Sequence, residues 1–261
     1  MLYQYMSDNV APGSQQLSCM SPHLYVGTLE HANDPEMLKD VSITAILTLT
    51  EGNLDKKVLS VYKKRKISLL HLSMADDPKE NIQGLLQESY GFIHDHIVAG
   101  GKVLVHCREG ASRAITVVMY YYLARLYATN YHKSKKIMMR LLDPANPNLM
   151  EIAKFIKGRR PCALPNPGYA YQLVMMEYAM KSYYARGIVE EANEIKERII
   201  EDGNIDPEIS HIIEADNISV PQAIELVFGQ EAAQKGIPDE VEKAVEEFDD
   251  MDEIPSLLGS V

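Results

Sequence analysis

Two hydrophobic periods alternate along this chain, and the switches between them set out an α/β order. Residues 23–27, 43–50 and 66–72 are short, largely apolar runs bounded by polar or turn residues, and each reads as a strand. Between 82 and 99, Ile82, Leu85, Leu86, Ile93 and Ile97 recur at helical spacing, which predicts one long amphipathic helix that Gly100-Gly101 ends. Val103–His106 is apolar up to its last residue and short, as a central strand covered on both faces should be. Ala114-Ile115-Thr116-Val117-Val118-Met119 then opens a helix over 113–128. Further helices are predicted over 34–40, 132–142, 149–157 and 168–184, with Asp143-Pro144-Ala145-Asn146-Pro147-Asn148 breaking the pattern between two of them. Met138-Met139, Met175-Met176, Tyr120-Tyr121-Tyr122 and Tyr183-Tyr184 read as packing groups on these helices.

Charge divides the chain in two. Residues 1–185 hold 21 Lys and Arg against 16 Asp and Glu, whereas 186–261 hold 5 against 21. The net charge of −11 therefore belongs to the C-terminal part, and a boundary is expected near 185. That acidic part keeps traces of helical spacing (Ile188, Ala192, Ile195, Ile199, then Ile209, Ile212, Ile213), so it reads as mainly helical or disordered rather than as a second core. Its carboxylates suggest docking, either to a partner or to a cationic site in the same chain; a solvated tail is the simpler reading. Lys63-Lys64-Arg65-Lys66, with Lys56-Lys57, reads as a solvated basic loop and is a candidate nuclear address or docking patch. A hydrophobic content of 46% supports an ordinary core, and no apolar run is long enough to cross a membrane. The first residues lack the features of a signal peptide, and Leu2 excludes myristoylation. The three cysteines Cys19, Cys107 and Cys162 do not suggest a disulfide framework, and no Cys/His spacing suggests a metal site. A reducing compartment, the cytoplasm and conceivably the nucleus, fits a reactive thiol. Nothing in the chain points to nucleic acid or to a cofactor.

The chemistry concentrates after the central strand, in His106-Cys107-Arg108-Glu109-Gly110-Ala111-Ser112-Arg113. A loop entering a helix aims several backbone N–H groups at one point, and the helix dipole favours negative charge there. Gly110 permits backbone angles that a side chain resists. Arg113 offers a planar fork for two phosphate oxygens. The same environment favours the thiolate of Cys107, a strong nucleophile able to form a covalent phosphocysteine. His106 is expected to bond near the loop and help fix the thiolate. A buried structural cysteine would explain neither Gly110 nor Arg113 at these offsets. A sulfur-transfer loop fits this spacing less well than a site for a tetrahedral phosphate.

This segment resembles the signature loop of the Cys-based protein phosphatases of the dual-specificity branch. Three other segments resemble the same family in the same order: Pro22-His23-Leu24-Tyr25-Val26-Gly27; Ile43-Thr44-Ala45-Ile46-Leu47-Thr48-Leu49; and Arg160-Pro161 followed by Pro165-Asn166-Pro167-Gly168-Tyr169 and Gln172-Leu173. The resemblance implies a central twisted mixed sheet flanked by helices. It divides the chain into an N-terminal extension (1–16), a catalytic domain (17–184) and the acidic tail (185–261). It implies Cys107 as nucleophile, phosphate held by Arg108, Glu109, Gly110, Ala111, Ser112 and Arg113, and His106 in support. Asp76, in Ala75-Asp76-Asp77-Pro78, falls at the position of the general acid, with Asp77 as runner-up and turn formation as the plainer role of the pair. It implies phosphotyrosine and phosphoserine/threonine proteins as substrates, in a compact member with no kinase-targeting domain ahead of residue 17. Glu109 disfavours polyanionic lipid headgroups. The family usually carries Ser or Thr where this chain has Ala114, and that hydroxyl helps the thiolate leave the phosphocysteine. Slow breakdown of the intermediate is expected, with Ser112 a candidate for partial compensation. The alternative is a slow or inactive phosphatase that acts as a phosphoprotein-binding module.

Overall fold

Val103–His106 (β5) is the middle strand of a five-stranded sheet that also contains Ser18–Ser21 (β1), Leu24–Gly27 (β2), Ala45–Thr48 (β3) and Ser68–His71 (β4). The structure is a computed structural model and describes residues 1–11, 16–52, 55–131, 135–143 and 148–202. The strand order is β1-β2-β5-β3-β4; β1 runs antiparallel to β2 and every other pair is parallel, so the sheet is mixed. Every residue of β3 and β5 is buried. That burial on both faces is why these strands read as unbroken apolar runs, whereas the edge strand β4 is only partly covered.

Helices close both faces. On one side Leu29–Ala32 (α2), Pro35–Asp40 (α3) and Lys56–Arg65 (α4) pack Ala32, Leu38 and Tyr62 against Ile46 and Leu104 of the sheet, together with Ile43 and Ile67. Asp34 starts α3 by accepting from the amides of Glu36 (3.0 Å) and Met37 (3.1 Å), with Pro35 in the first turn. Gln83–Val98 (α5) packs against β3 and β5 and ends at Gly100, whose φ of +78° suits glycine. Arg113–Tyr131 (α6) follows the Cys loop, and its first nine residues are all buried. Lys135–Leu142 (α7), Asn148–Arg159 (α8) and Pro167–Asp202 (α9) complete the order. The chain divides into two compact units, one of 1–128 with 147–177 and the other of 129–146 with 178–261. Within the second, Lys181 donates to the carbonyl of Asp143 at 3.0 Å.

Several elements differ from the sequence reading. The basic cluster is not a solvated loop: Lys56, Lys57, Lys63, Lys64 and Arg65 lie on α4, capped by the Asp55 side chain and ended by Lys66 at φ +57°. Only Val58 and Tyr62 carry its inward face, so lysines hid the periodicity; Tyr62 is anchored by its hydroxyl to the Ala32 carbonyl at 2.8 Å. Leu2–Asp8 (α1), β1 and α2 are too short to show a period. α1 lies within the stretch expected as an extension, yet it buries Leu2 and Met6 and packs against α8. The helix expected over 168–184 continues unbroken to Asp202, past the expected boundary at 184/185. Residues 132–134, 144–147 and 203–261, and with them most of the acidic segment, lie outside the described residues.

Candidate active site

Parallel register brings four strand ends level. Gly27, His106, Thr48 and His71 stand side by side at the carboxyl edge of β2, β5, β3 and β4, and the Cys loop leaves from the middle of that row. Its carbonyls are all bonded away from the loop centre. Arg108 O accepts from the Leu29 amide (3.0 Å) and Ala111 O from the Leu164 amide (2.8 Å). Glu109 O accepts from Arg160 Nη2 (2.9 Å) and Gly110 O from Arg160 Nε (2.7 Å). In a planar trans peptide, C=O and N–H point in opposite directions. Anchoring these four carbonyls therefore turns the amides of 109–112 toward the loop's interior, as an anion site requires. One of those amides already has a sulfur partner: Gly110 N–H donates to Cys107 Sγ at 3.2 Å. Cys107 lies at the loop's base, 2% exposed. Gly110 has φ +66°, and a Cβ there would strike the Gly27 carbonyl and come within 2.6 Å of Arg160 Nη2.

The side chains of Arg108 and Glu109 face solvent and pair with each other (Nε to Oε1 3.8 Å), so their part in the loop is played by the backbone. Arg113, the first residue of α6, is 9% exposed. Its Nη1 donates to the Met74 carbonyl at 3.1 Å. Its Nε is buried without a hydrogen-bond acceptor, 3.7 Å from Asp76 Oδ2. A buried donor with no acceptor on a guanidinium edge is what an anion-binding group looks like before its anion arrives.

The acid loop is tied to this site. Asp76 Oδ1 accepts from Ser112 Oγ (2.7 Å) and Asn166 Nδ2 (2.9 Å), and the Asn166 amide in turn donates to Ser112 Oγ (3.2 Å). Asp77 instead makes the turn, its Oδ1 accepting from the Lys79 amide at 2.9 Å. The start of α9 holds the loop from behind. Tyr169 donates to Glu80 Oε2 (2.7 Å) and also contacts the Ala75 carbonyl, while Gln172 bonds the Glu80 carbonyl (2.8 Å) and the Ile82 amide (3.1 Å). Burial first, then the Glu80 carboxylate, drive the Tyr169 hydroxyl pKa strongly upward, so it remains a donor. Gly168 packs so closely on the Pro78 carbonyl that no Cβ would fit.

His106 is fully buried between Thr48 Oγ1 (Nε2, 2.8 Å) and the Cys107 carbonyl (Nδ1, 3.1 Å). Burial lowers its pKa to about 4 against the weaker pull of the Cys107 carbonyl. The ring is therefore neutral, with Nδ1–H donating to that carbonyl and Nε2 accepting from Thr48. It fixes the backbone next to the sulfur rather than bonding the sulfur. Ala114 is buried, and Ser112, the candidate substitute for its missing hydroxyl, already donates to Asp76. Asn166, Tyr169 and Glu80 were not among the expected site residues, and Arg160 was noted only for its place in a motif. Pro165-Asn166-Pro167-Gly168 was read only as part of a family motif, and nothing in the pattern located it over the Cys loop. Among the described residues, no three His, Cys, Asp or Glu side chains gather as metal ligands, and no helix is long and apolar enough to cross a membrane.

Comparison with known proteins gives a family for this arrangement. The family described as "Dual specificity phosphatase, catalytic domain" matches residues 24–179. "Dual specificity protein phosphatase 15" of Rattus norvegicus is 31% identical over 181 residues, covering 69% of this chain and 66% of that protein. "Dual specificity protein phosphatase 1B" of Arabidopsis thaliana is 27% identical over 175 residues, covering 67% of this chain and 90% of that protein. The crystal structure of DUSP15 superposes with a TM-score of 0.50 at 26% identity, covering 67% of this chain and 95% of that one. The chain thus spans just under two thirds of its rodent relatives, and it belongs to the dual specificity phosphatase family.

The neutrality of His106 has a pH consequence. Its folded pKa lies near 4 and its unfolded value near 6.5. Between those values the unfolded chain binds the extra proton, so stability rises with pH across that window and is lost as pH falls through it. The loss approaches about 3 kcal/mol once both states are protonated. Thermal unfolding followed by circular dichroism from pH 7 to pH 4 should show this decline, and His106→Gln should flatten it. An equally steep decline in the variant would assign it to other groups.

Proposed function

We propose that this member of the dual specificity phosphatase family hydrolyses phosphate monoesters on protein tyrosine, serine and threonine through a phosphocysteine on Cys107. The observation that carries the reading is the loop itself: four carbonyls anchored outward, one inward amide on the sulfur, and an unsatisfied guanidinium edge at the rim. The Cys107 thiolate attacks phosphorus, and the bond to the leaving oxygen breaks as the Asp76 carboxyl gives that oxygen its proton. Arg113 and the amides of 108–113 hold the equatorial oxygens as charge shifts. Water then attacks the phosphocysteine, Asp76 takes its proton, and the S–P bond breaks to return the thiolate and release phosphate. Protein substrates are favoured over polyanionic headgroups because Glu109 stands exposed beside the loop. Residues 17–184 form the catalytic domain in this reading. The acidic segment beyond it serves as a solvated or docking appendage.

The second reading, a slow enzyme that retains phosphoproteins, rests on Ala114 together with Ser112. With no hydroxyl at 114 and the Ser112 hydroxyl held by Asp76, none is free to stabilise the departing thiolate.

With an aryl phosphate, Cys107→Ser should abolish turnover. Rapid mixing should reveal a burst of phenol, because hydrolysis of the intermediate is the slow step. Ala114→Ser should raise kcat and shrink the burst. A linear progress curve with attack rate-limiting would contradict the assignment of the slow step. Equal phosphopeptide binding by wild type and Cys107→Ser, with turnover by neither, would establish the binding module instead.

Asn166→Ala removes a donor to the Asp76 carboxyl. It should lower kcat/KM, which reports attack and leaving-group departure rather than the slow hydrolysis, about tenfold, on the scale of one hydrogen bond to a charged group. The loss should shrink for substrates whose leaving groups need no proton. An equal loss for good and poor leaving groups would mean that Asn166 does not act through the acid.

A further inference from the structure

Arg160 is 0% exposed, and among the described residues no carboxylate lies within ion-pairing distance of it. Its partners are all neutral: Glu109 O, Gly110 O, the Gln16 carbonyl (3.1 Å) and Ser18 Oγ (3.1 Å). Desolvating a cation without a counter-charge is costly, and neutral donors could have satisfied the same carbonyls. A function of the charge itself would account for keeping a cation there.

The bonding path indicates what that function is. Arg160 Nη2–H donates to the carbonyl of Glu109, and the N–H of the same peptide unit, that of Gly110, donates to Cys107 Sγ. Arg160 Nε–H donates to the next carbonyl, that of Gly110, whose peptide partner is the inward-facing Ala111 amide. Each peptide unit sits in series between a cation and the anion site, and hydrogen bonds in series polarise one another. Arg160 also helps depress the pKa of His31, second to burial, so its charge is felt by a neighbour that it does not bond.

We propose that Arg160 is a positioning residue and second cation of the phosphate site. It acts from behind the loop by polarising the Glu109–Gly110 and Gly110–Ala111 peptides toward the Cys107 sulfur and the bound oxyanion. Arg113 meets the anion directly; Arg160 strengthens the amides that meet it. The proposal rests on the phosphatase reading for the meaning of phosphate binding. Its effect on the sulfur can be measured whether or not the protein turns over substrate.

Two substitutions in the full-length protein separate charge from packing. Arg160→Gln keeps donors of similar reach without the charge; Arg160→Lys keeps the charge with a different geometry. The readouts are the rate of Cys107 alkylation by iodoacetamide at slightly acidic pH, competitive inhibition by inorganic phosphate, and the thermal midpoint. Arg160→Gln should alkylate about tenfold more slowly and bind phosphate about tenfold more weakly, with Arg160→Lys recovering most of both. A folded Arg160→Gln with wild-type alkylation and inhibition overturns the proposal, as does Arg160→Lys performing no better than Arg160→Gln. Should Arg160→Gln fail to fold, the Gly110 amide proton shift in wild type and Arg160→Lys carries the test. A shift near the wild-type value in the lysine variant, with alkylation near the wild-type rate, supports polarisation by the retained charge; an upfield shift with alkylation slowed about tenfold in that folded variant overturns it. Absence of turnover in wild type with alkylation still dependent on Arg160 would remove the phosphatase reading and leave this one standing.

Discussion

The site depends on one constraint: four successive carbonyls of the Cys loop must point outward. A six-residue connection between a buried strand and a helix has many ways to satisfy its backbone, and most would leave carbonyl oxygens lining the pocket and repelling an anion. Here the choice is made by donors from outside the loop. Leu29 lies just after β2, Leu164 just before α9, and Arg160 just after α8. The loop is therefore shaped by segments distant in sequence that close on it only when the sheet and its helices are assembled. Gly27 and Gly110 make the closure sterically feasible, since the loop passes directly over the end of β2. Fold and anion site are the same set of hydrogen bonds seen from two sides.

The acid loop follows the same logic at a second level. Asp76 is reached from the Cys loop by Ser112 and from the turn before α9 by Asn166, and Asn166 also holds Ser112. The three form a closed triangle of hydrogen bonds. Tyr169 and Gln172 extend the bracing to Glu80 and Ile82 at the far end of the same loop. In the proposed reaction such support would serve a carboxyl that gives and retakes a proton, because misplacement by an ångström is costly to proton transfer. The arrangement also commits the Ser112 hydroxyl to the acid. A hydroxyl cannot serve Asp76 and the departing sulfur with one proton, so the absence of a hydroxyl at Ala114 is not compensated by the nearest serine.

What could be read from the sequence depended on whether a residue's role is local. β3 and β5 were visible as unbroken apolar runs, α5 by its helical period and α6 by the apolar stretch that opens it, and Cys107, Gly110 and Arg113 stood out because loop chemistry dictates their spacing. The mixed sheet was implied by resemblance to the family rather than by periodicity. α4 was concealed because its inward face is carried by two residues among lysines, and α1, β1 and α2 because a few residues cannot display a period. Asn166, Tyr169 and Arg160 were legible as types but not as site residues. Each acts across a sequence separation of at least fifty residues, and a single chain read along its length contains no measure of such proximity. His106 was expected to bond near the loop and help fix the thiolate; its partners are Thr48 and the Cys107 carbonyl. Its neutrality follows from a burial that only the assembled sheet imposes.

The two arginines make opposite compromises with solvent, and the contrast bears on how stability and function are shared. Arg113 keeps one edge unsatisfied at the rim, where an arriving oxyanion can complete it. Arg160 is completed by the protein itself, but by dipoles alone, so its charge is left to act on whatever lies beyond the loop. Arg113 stands 3.7 Å from the Asp76 carboxylate, whereas Arg160 bonds only neutral groups. In the proposed reaction a phosphate dianion would supply a counter-charge. Any ligand that supplies one is bound by the native state and not by the unfolded chain, so it stabilises the fold by mass action. The electrostatic tension that would attract phosphate in the proposed reaction is held by the hydrogen bonds of the loop, many of which converge on few residues.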